Sequence, residues 1–189
     1  MNEDFTKLAF TETVKEVQEK HGSRKSYARQ EESGDRYVLT EQEKSFIESR
    51  DSFYIATVGT NGWPYVQFRG GPPGFLHVLN DTTLGFADFR GNRQYISAGN
   101  IIDSRRASLI LMDYPTRQRL KIWAEADLKD PSDEPELEKR LTPADYKAKV
   151  ERIITLILLG IRISESQRSG NSLSPSSASM GGSPQRANR

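Results

Sequence analysis

The chain has 189 residues, 35% of them hydrophobic and 28% charged, enough for one globular core with peripheral segments. Its 27 basic residues against 26 acidic ones leave a net charge of +1, which argues against a general nucleic-acid binder. The absence of cysteine excludes disulfides and thiol catalysis, and the two histidines, His21 and His77, lack the spacing of a metal site.

The first ten residues are mixed and acidic, without the apolar stretch of a signal peptide. The longest apolar run, Ile153 to Ile161, is far shorter than the roughly 20 residues of a membrane span, so a cytoplasmic address is expected. Phe10, Val14 and Val17 recur at helical spacing up to Lys20, and Gly22 is a suitable stop. Residues 22–37 are polar and irregular. Thr40-Glu41-Gln42-Glu43 fits a capping box and predicts a helix over Glu41 to Arg50, with Phe46 and Ile47 inward.

The period then changes. Phe53 to Gly59 is rich in aromatic and β-branched residues, Asn61-Gly62 is a strong hairpin signal, and Pro64 to Arg69 is the return strand. Phe75 to Leu79 and Thr83 to Asp88 form a second hairpin around Asn80-Asp81. Asn92 to Ile102 reads as a short helix burying Tyr95, Ile96 and Ile102. Arg106 to Met112 and Arg119 to Leu128 are two further strands around Asp113-Tyr114-Pro115. Lys129 to Glu138 reads as an acidic loop, Thr142-Pro143-Ala144-Asp145 as a helix start, and Ile153 to Ile163 as a buried strand. The fold class is mainly β (α+β): short antiparallel strands with few helices, which indicates a barrel. Three parts follow: a helical extension over 1–50, a barrel domain over 51–163, and a disordered Ser/Gly/Pro/Arg tail over 164–189.

Two segments carry the candidate chemistry. In the first, Tyr65, Gln67 and Arg69 share one strand face while Val66 and Phe68 share the other, and Gly70-Gly71-Pro72-Pro73-Gly74 follows. The residues allow two readings here: a rigid turn beside a solvated face, or the wall of a ligand cleft. In the second, Arg93 stands at a helix start after Asp88-Phe89-Arg90-Gly91-Asn92, a ready anion site that Arg90 can join. Surface charge is the plain alternative. Neither a dinucleotide fingerprint nor a P-loop is present.

These segments resemble a known family. Asn61 to Leu76 and Phe86 to Asn100 are similar to N-G-W-P-Y-V-Q-x-R-G-G-P-P-G-F-L and F-A-D-F-x-G-N-R-Q-Y-I-S-x-G-N. Those runs mark a bacterial subgroup of the pyridoxamine 5'-phosphate oxidase-like, flavin-nucleotide-binding split-barrel proteins. Gly22-Ser23-Arg24 and Tyr27-Ala28-Arg29 also match, so the resemblance covers about Phe10 to Leu128. It implies a six-stranded antiparallel split β-barrel with flanking helices, and a homodimer holding FMN in clefts between subunits. It also implies oxidoreductase chemistry on a small substrate.

By position, Gln67 and Arg69 would line the cleft, Ala87 and Asp88 would approach the flavin, and Asn92, Arg93 and Gln94 would sit at its phosphate. Arg119 would reach in from the partner subunit. The oxidase itself has lysine at the position of Gln94 and serine at that of Asn92, and its pyridoxal-phosphate contacts near the C-terminus have no counterpart here. Members of the subgroup also end on an aromatic-Asn-Cys-Pro-Gln-His segment, where this chain has Ile161-Arg162-Ile163-Ser164-Glu165 and a serine-rich continuation. A change of reading frame near Leu156 to Gly160 is the expected cause. The rival readings are a non-catalytic flavin-storage protein and a split barrel using haem or a deazaflavin; haem would need His21 or His77 as axial ligand.

Overall fold

The computed structural model describes residues 5–32, 37–144 and 148–165. Three short helices, α1 (Phe5–Ala9), α2 (Glu12–Lys20) and α3 (Arg24–Glu32), precede α4 (Glu41–Glu48). The strands are β1 (Ser52–Val58), β2 (Pro64–Gly70), β3 (His77–Asn80), β4 (Thr83–Phe89), β5 (Arg106–Asp113), β6 (Gln118–Lys129) and β7 (Val150–Glu165). Helix α5 (Ile96–Ser104) lies between β4 and β5, and a 3-10 turn (Pro131–Asp133) and α6 (Pro135–Leu141) lie between β6 and β7. Among the described residues no helix is long and apolar enough to cross a membrane.

All strand pairs are antiparallel, in the order β2-β1-β5-β6-β7-β4-β3. The described residues thus form seven strands rather than six. The alternation that marks a half-buried strand is visible in β1, where Phe53 and Ile55 are buried, and in β6, where Leu120, Ile122, Ala124 and Ala126 are buried. Each fully buried large apolar side chain contributes about 1.5–3 kcal/mol, so this main cluster, beside a smaller one of Ala87, Leu141, Val150 and Ile153, dominates stability. Strand β2 ladders only to β1, and β4 beyond Gly85 ladders only to β7. A seam without main-chain pairing therefore separates β2 from the end of β4. Rings close it from inside: Phe53 stacks on Phe75 at 5.4 Å and meets Phe86 edge-on at 5.3 Å.

The capping box is present: the Thr40 hydroxyl accepts from the Glu43 N–H, and the Glu43 carboxylate accepts from the Thr40 N–H at 2.8 Å. Gly62, at φ 79°, makes the first hairpin turn. The Gly70–Gly74 bend is chiefly structural. The Gly71 and Gly74 N–H groups donate to the carbonyls of Asp51 and Arg50, and a Cβ on Gly71 would meet the Phe75 ring at 2.6 Å.

Several expectations are corrected. Residues 24–32 are helical, because the Arg24 guanidinium ties α3 to Gln18 of α2 and to Glu31, a contact that leaves no apolar stripe in the sequence. The helix after β4 starts four residues later than expected and turns a different side inward: Ser97, Ala98 and Ile101 are buried, while Tyr95, Ile96 and Ile102 are exposed. The acidic loop contains α6, opened by Pro135 in its first turn, and Thr142 closes that helix instead of opening one. Ala148 and Lys149 are not helical, and Asp145 lies outside the described residues. Strand β7 carries Ser164 and Glu165, and residues 166–189 of the expected tail lie outside the described residues.

Candidate functional site

Strand β2 carries polar and apolar residues on opposite faces, and the fold turns the polar face inward. Tyr65, Gln67 and Arg69 are half-buried, whereas Val66 is 60% and Phe68 58% exposed. Helix α5 draws Gln67 inward, because the Ser97 hydroxyl donates to its Oε1 at 3.0 Å. The β4–α5 connection closes the other side. Asn92 Oδ1 accepts from the Gln94 N–H at 3.2 Å, and Arg93 (φ 63°) and Tyr95 (φ 55°) both stand in the left-handed region. Such backbone costs about 1–3 kcal/mol per residue, so two in one turn mark a segment shaped by more than its own comfort. Tyr95 is the N-cap of α5 and makes no capping hydrogen bond, which leaves the start of the helix, whose residues Ile96, Ser97 and Ala98 line the cleft, without a side-chain cap.

At the floor lies Asp88, 3% exposed, between two arginines. Arg69 Nη1 donates to Oδ1 at 2.6 Å, and Arg152 donates to Oδ2 through Nε at 2.9 Å and Nη2 at 2.7 Å. The pair with Arg69 bridges the seam; the one with Arg152 joins β4 to β7. Burial opposes the charge on Arg152, but the Asp88 hydrogen bond and charge hold its pKa above the ordinary guanidinium value. The Arg152 guanidinium also covers the Tyr95 ring at 4.8 Å. Tyr95 donates its hydroxyl to Glu151 at 3.4 Å and accepts from Arg93 Nε at 3.3 Å. A chain of contacts thus runs from Asp88 through Arg152 and Tyr95 to Arg93. The Tyr95 hydrogen bond raises the Arg93 pKa, and among the described residues the terminal nitrogens of Arg93 have no ion-pair partner.

The resulting cleft has a volume of about 150 Å³. It brings together Gln67, Arg69, Asp88, Asn92, Arg93 and Gln94 from the residues expected by sequence. Ala87, buried at 5% exposure, points to the other side of β4 and lines a neighbouring groove. Arg119 lines neither. It pairs with Met112, so it shares the outer sheet face with Ile110, Tyr54 and Phe68. Tyr95, Ser97, Glu151 and Arg152 line the cleft unanticipated. Glu151-Arg152 just before the apolar run of β7 was the available signal, since two charges at a buried strand's start need partners. Neither histidine lines the cleft: His21 caps α2, and His77 lies in β3.

An antiparallel barrel with one unladdered seam, flanked by helices, is a split-barrel fold. The family model described as pyridoxamine 5'-phosphate oxidase matches residues 39–170, and the chain belongs to that family. No curated protein matches the sequence. Among solved structures, an FMN-binding protein from Syntrophomonas wolfei superposes with a TM-score of 0.53 at 19% identity, over 78% of this chain and 98% of that one. A candidate pyridoxamine 5'-phosphate oxidase from Lactobacillus delbrueckii gives 0.52 at 21% identity, over 67% and 95%. HupZ of Group A Streptococcus gives 0.50 at 14%, over 66% and 92%. At these identities the likeness is one of fold.

Proposed function

We propose that this protein is an FMN-binding oxidoreductase acting on a small substrate as a cytoplasmic homodimer. The observation that carries the reading is the β4–α5 turn, where an uncapped helix N-terminus and the terminal nitrogens of Arg93 converge on one cleft. The residues fit a phosphate monoester: free backbone N–H donors, one guanidinium, and the amides of Asn92 and Gln94 at the rim. Space fits as well, since a Cβ on Gly91 would meet nothing within 4 Å.

When bound, FMN supplies two-electron redox chemistry. The chain's own part is to bind and orient. Arg93 and the α5 N–H groups hold the phosphate. Gln67, fixed by Ser97, offers an amide along the cleft wall, and the paired Asp88 gives a rigid floor. The cleft's two carboxylates, Asp88 and Glu151, are both paired, which suits a protein that leaves bond-making to its cofactor.

The homodimer reading rests on the outer face, where Tyr54, Val66 and Phe68 are exposed side by side on β1 and β2, with the Tyr54 and Phe68 rings 5.6 Å apart. Arg119 stands on that same face, where a second copy brings it toward the neighbour's cleft.

The test is the absorption spectrum of the purified protein and an FMN titration followed by flavin fluorescence. The expected outcome is bound FMN, and Arg93→Ala weakens it by about 1.5–3 kcal/mol at unchanged melting temperature. A Soret band, or Arg93→Ala binding FMN as tightly as the parent, overturns the reading.

A further inference from the structure

Beside the polar cleft, on the other side of the Arg69–Asp88 pair, the seam opens into a second groove of about 230 Å³. Its chemistry differs from the cleft's. Phe75 and Phe86 form a buried floor, Phe68 and Phe89 stand at the walls, and Gly91 leaves the lip bare.

The paired Arg69 and Asp88 line both cleft and groove. Arg93 lines the cleft and not the groove; Arg90 lines the groove and not the cleft. Asp88 is already neutralised by Arg69 and Arg152. Arg90 is 54% exposed, and its ion pair with Glu151 is long, at 3.7 Å, while Glu151 also receives Arg152 and Tyr95. Its backbone is fixed, because its N–H donates to the Lys149 carbonyl at 3.0 Å. Beside the paired Arg69 and Asp88, the groove therefore presents aromatic walls and one anchored, loosely engaged guanidinium, that of Arg90.

We propose that this groove is the substrate subsite, and that the substrate is a small planar aromatic carboxylate. The rings pack against the phenylalanines in offset or edge contact, and the carboxylate takes the Arg90 fork. A phosphate dianion is a poorer match, because the single charge of Arg90 balances only half of its own. The name "substrate" rests on the flavin reading of the neighbouring cleft; the ligand chemistry of the groove does not.

The test uses the full-length protein, 2-naphthoate as probe, and neutral 2-naphthamide as its isostere, with FMN titrated separately. The parent binds 2-naphthoate. Arg90→Gln weakens 2-naphthoate about tenfold, leaves 2-naphthamide unchanged, and leaves FMN unchanged; Arg93→Gln weakens FMN and leaves 2-naphthoate unchanged. A parent that does not bind 2-naphthoate overturns the proposal, as does Arg90→Gln with undiminished 2-naphthoate affinity or with a parallel loss of 2-naphthamide. If FMN fails to bind while 2-naphthoate follows Arg90, the flavin reading falls and the groove stands as an aromatic-anion site.

Discussion

The two faces of β2 carry opposite chemistry, and each faces the side where a lone monomer would want the other. The inward face has Gln67 and Arg69, held by Ser97 and Asp88; the outward face has Val66 and Phe68 in solvent. A polar group can be half-buried only where partners satisfy it, and an apolar patch stays exposed only where something is to cover it. The contrast teaches that burial in one chain is not the measure of a residue's role here: on the proposed reading the inward face serves a ligand and the outward face a neighbour.

The largest test of this contrast is on the inward side. Asp88→Ala leaves two arginines without their shared carboxylate across the seam, and the expected loss is about 3–5 kcal/mol in thermal or denaturant unfolding. An unchanged melting curve would mean that the rings of Phe53, Phe75 and Phe86 close the barrel unaided. Next comes the outward side. Val66→Glu places a charge in the apolar patch, and sedimentation should show monomers where the parent shows dimers, with the monomer's own stability within about 0.5 kcal/mol because the site is exposed. A parent that sediments as a monomer removes the homodimer reading.

The smallest effect concerns His77 in β3, outside both faces. Burial, and then the nearby charge of Arg140, lower its pKa below the ordinary value of about 6.5, so the folded state prefers the neutral ring. The unfolded chain then binds more protons, and stability rises with pH between the depressed value and about 6.5. The His77 contribution is complete above that window and is lost as pH falls through it. His77→Gln should flatten the slope of melting temperature against pH there; an equal slope would assign the acid sensitivity to other groups.

What the sequence made legible was whatever a local pattern writes. Thr40 and Glu43 spell the cap of α4, Asn61-Gly62 spells the hairpin, and the alternation of Phe53 with Ile55 or Leu120 with Ile122 spells the inner face of the barrel. The candidate site was legible on β2 and around Asn92–Gln94. Arg152 was not, because it meets Asp88 from 64 residues away and only the β4–β7 ladder places them together. The direction of β2 was not legible either: alternation says that its faces differ, not which one the sheet turns inward. Helix α3 escaped because an ion pair holds it in place of an apolar stripe, and α6 because its apolar face is only Leu137 and Leu141.

Strand β7 has a consequence for the order of assembly. It pairs with β6 over residues 153–165 and with β4 over residues 150–157, and among the described residues no other strand joins those two halves of the sheet. During synthesis the β2-β1-β5-β6 meander and the β3-β4 hairpin can each form as they emerge, but they remain two pieces until the last strand arrives between them. Barrel closure is therefore a late event dominated by contacts far apart in sequence, and the free edges of β4 and β6 are the surfaces a nascent chain must keep from wrong partners until then.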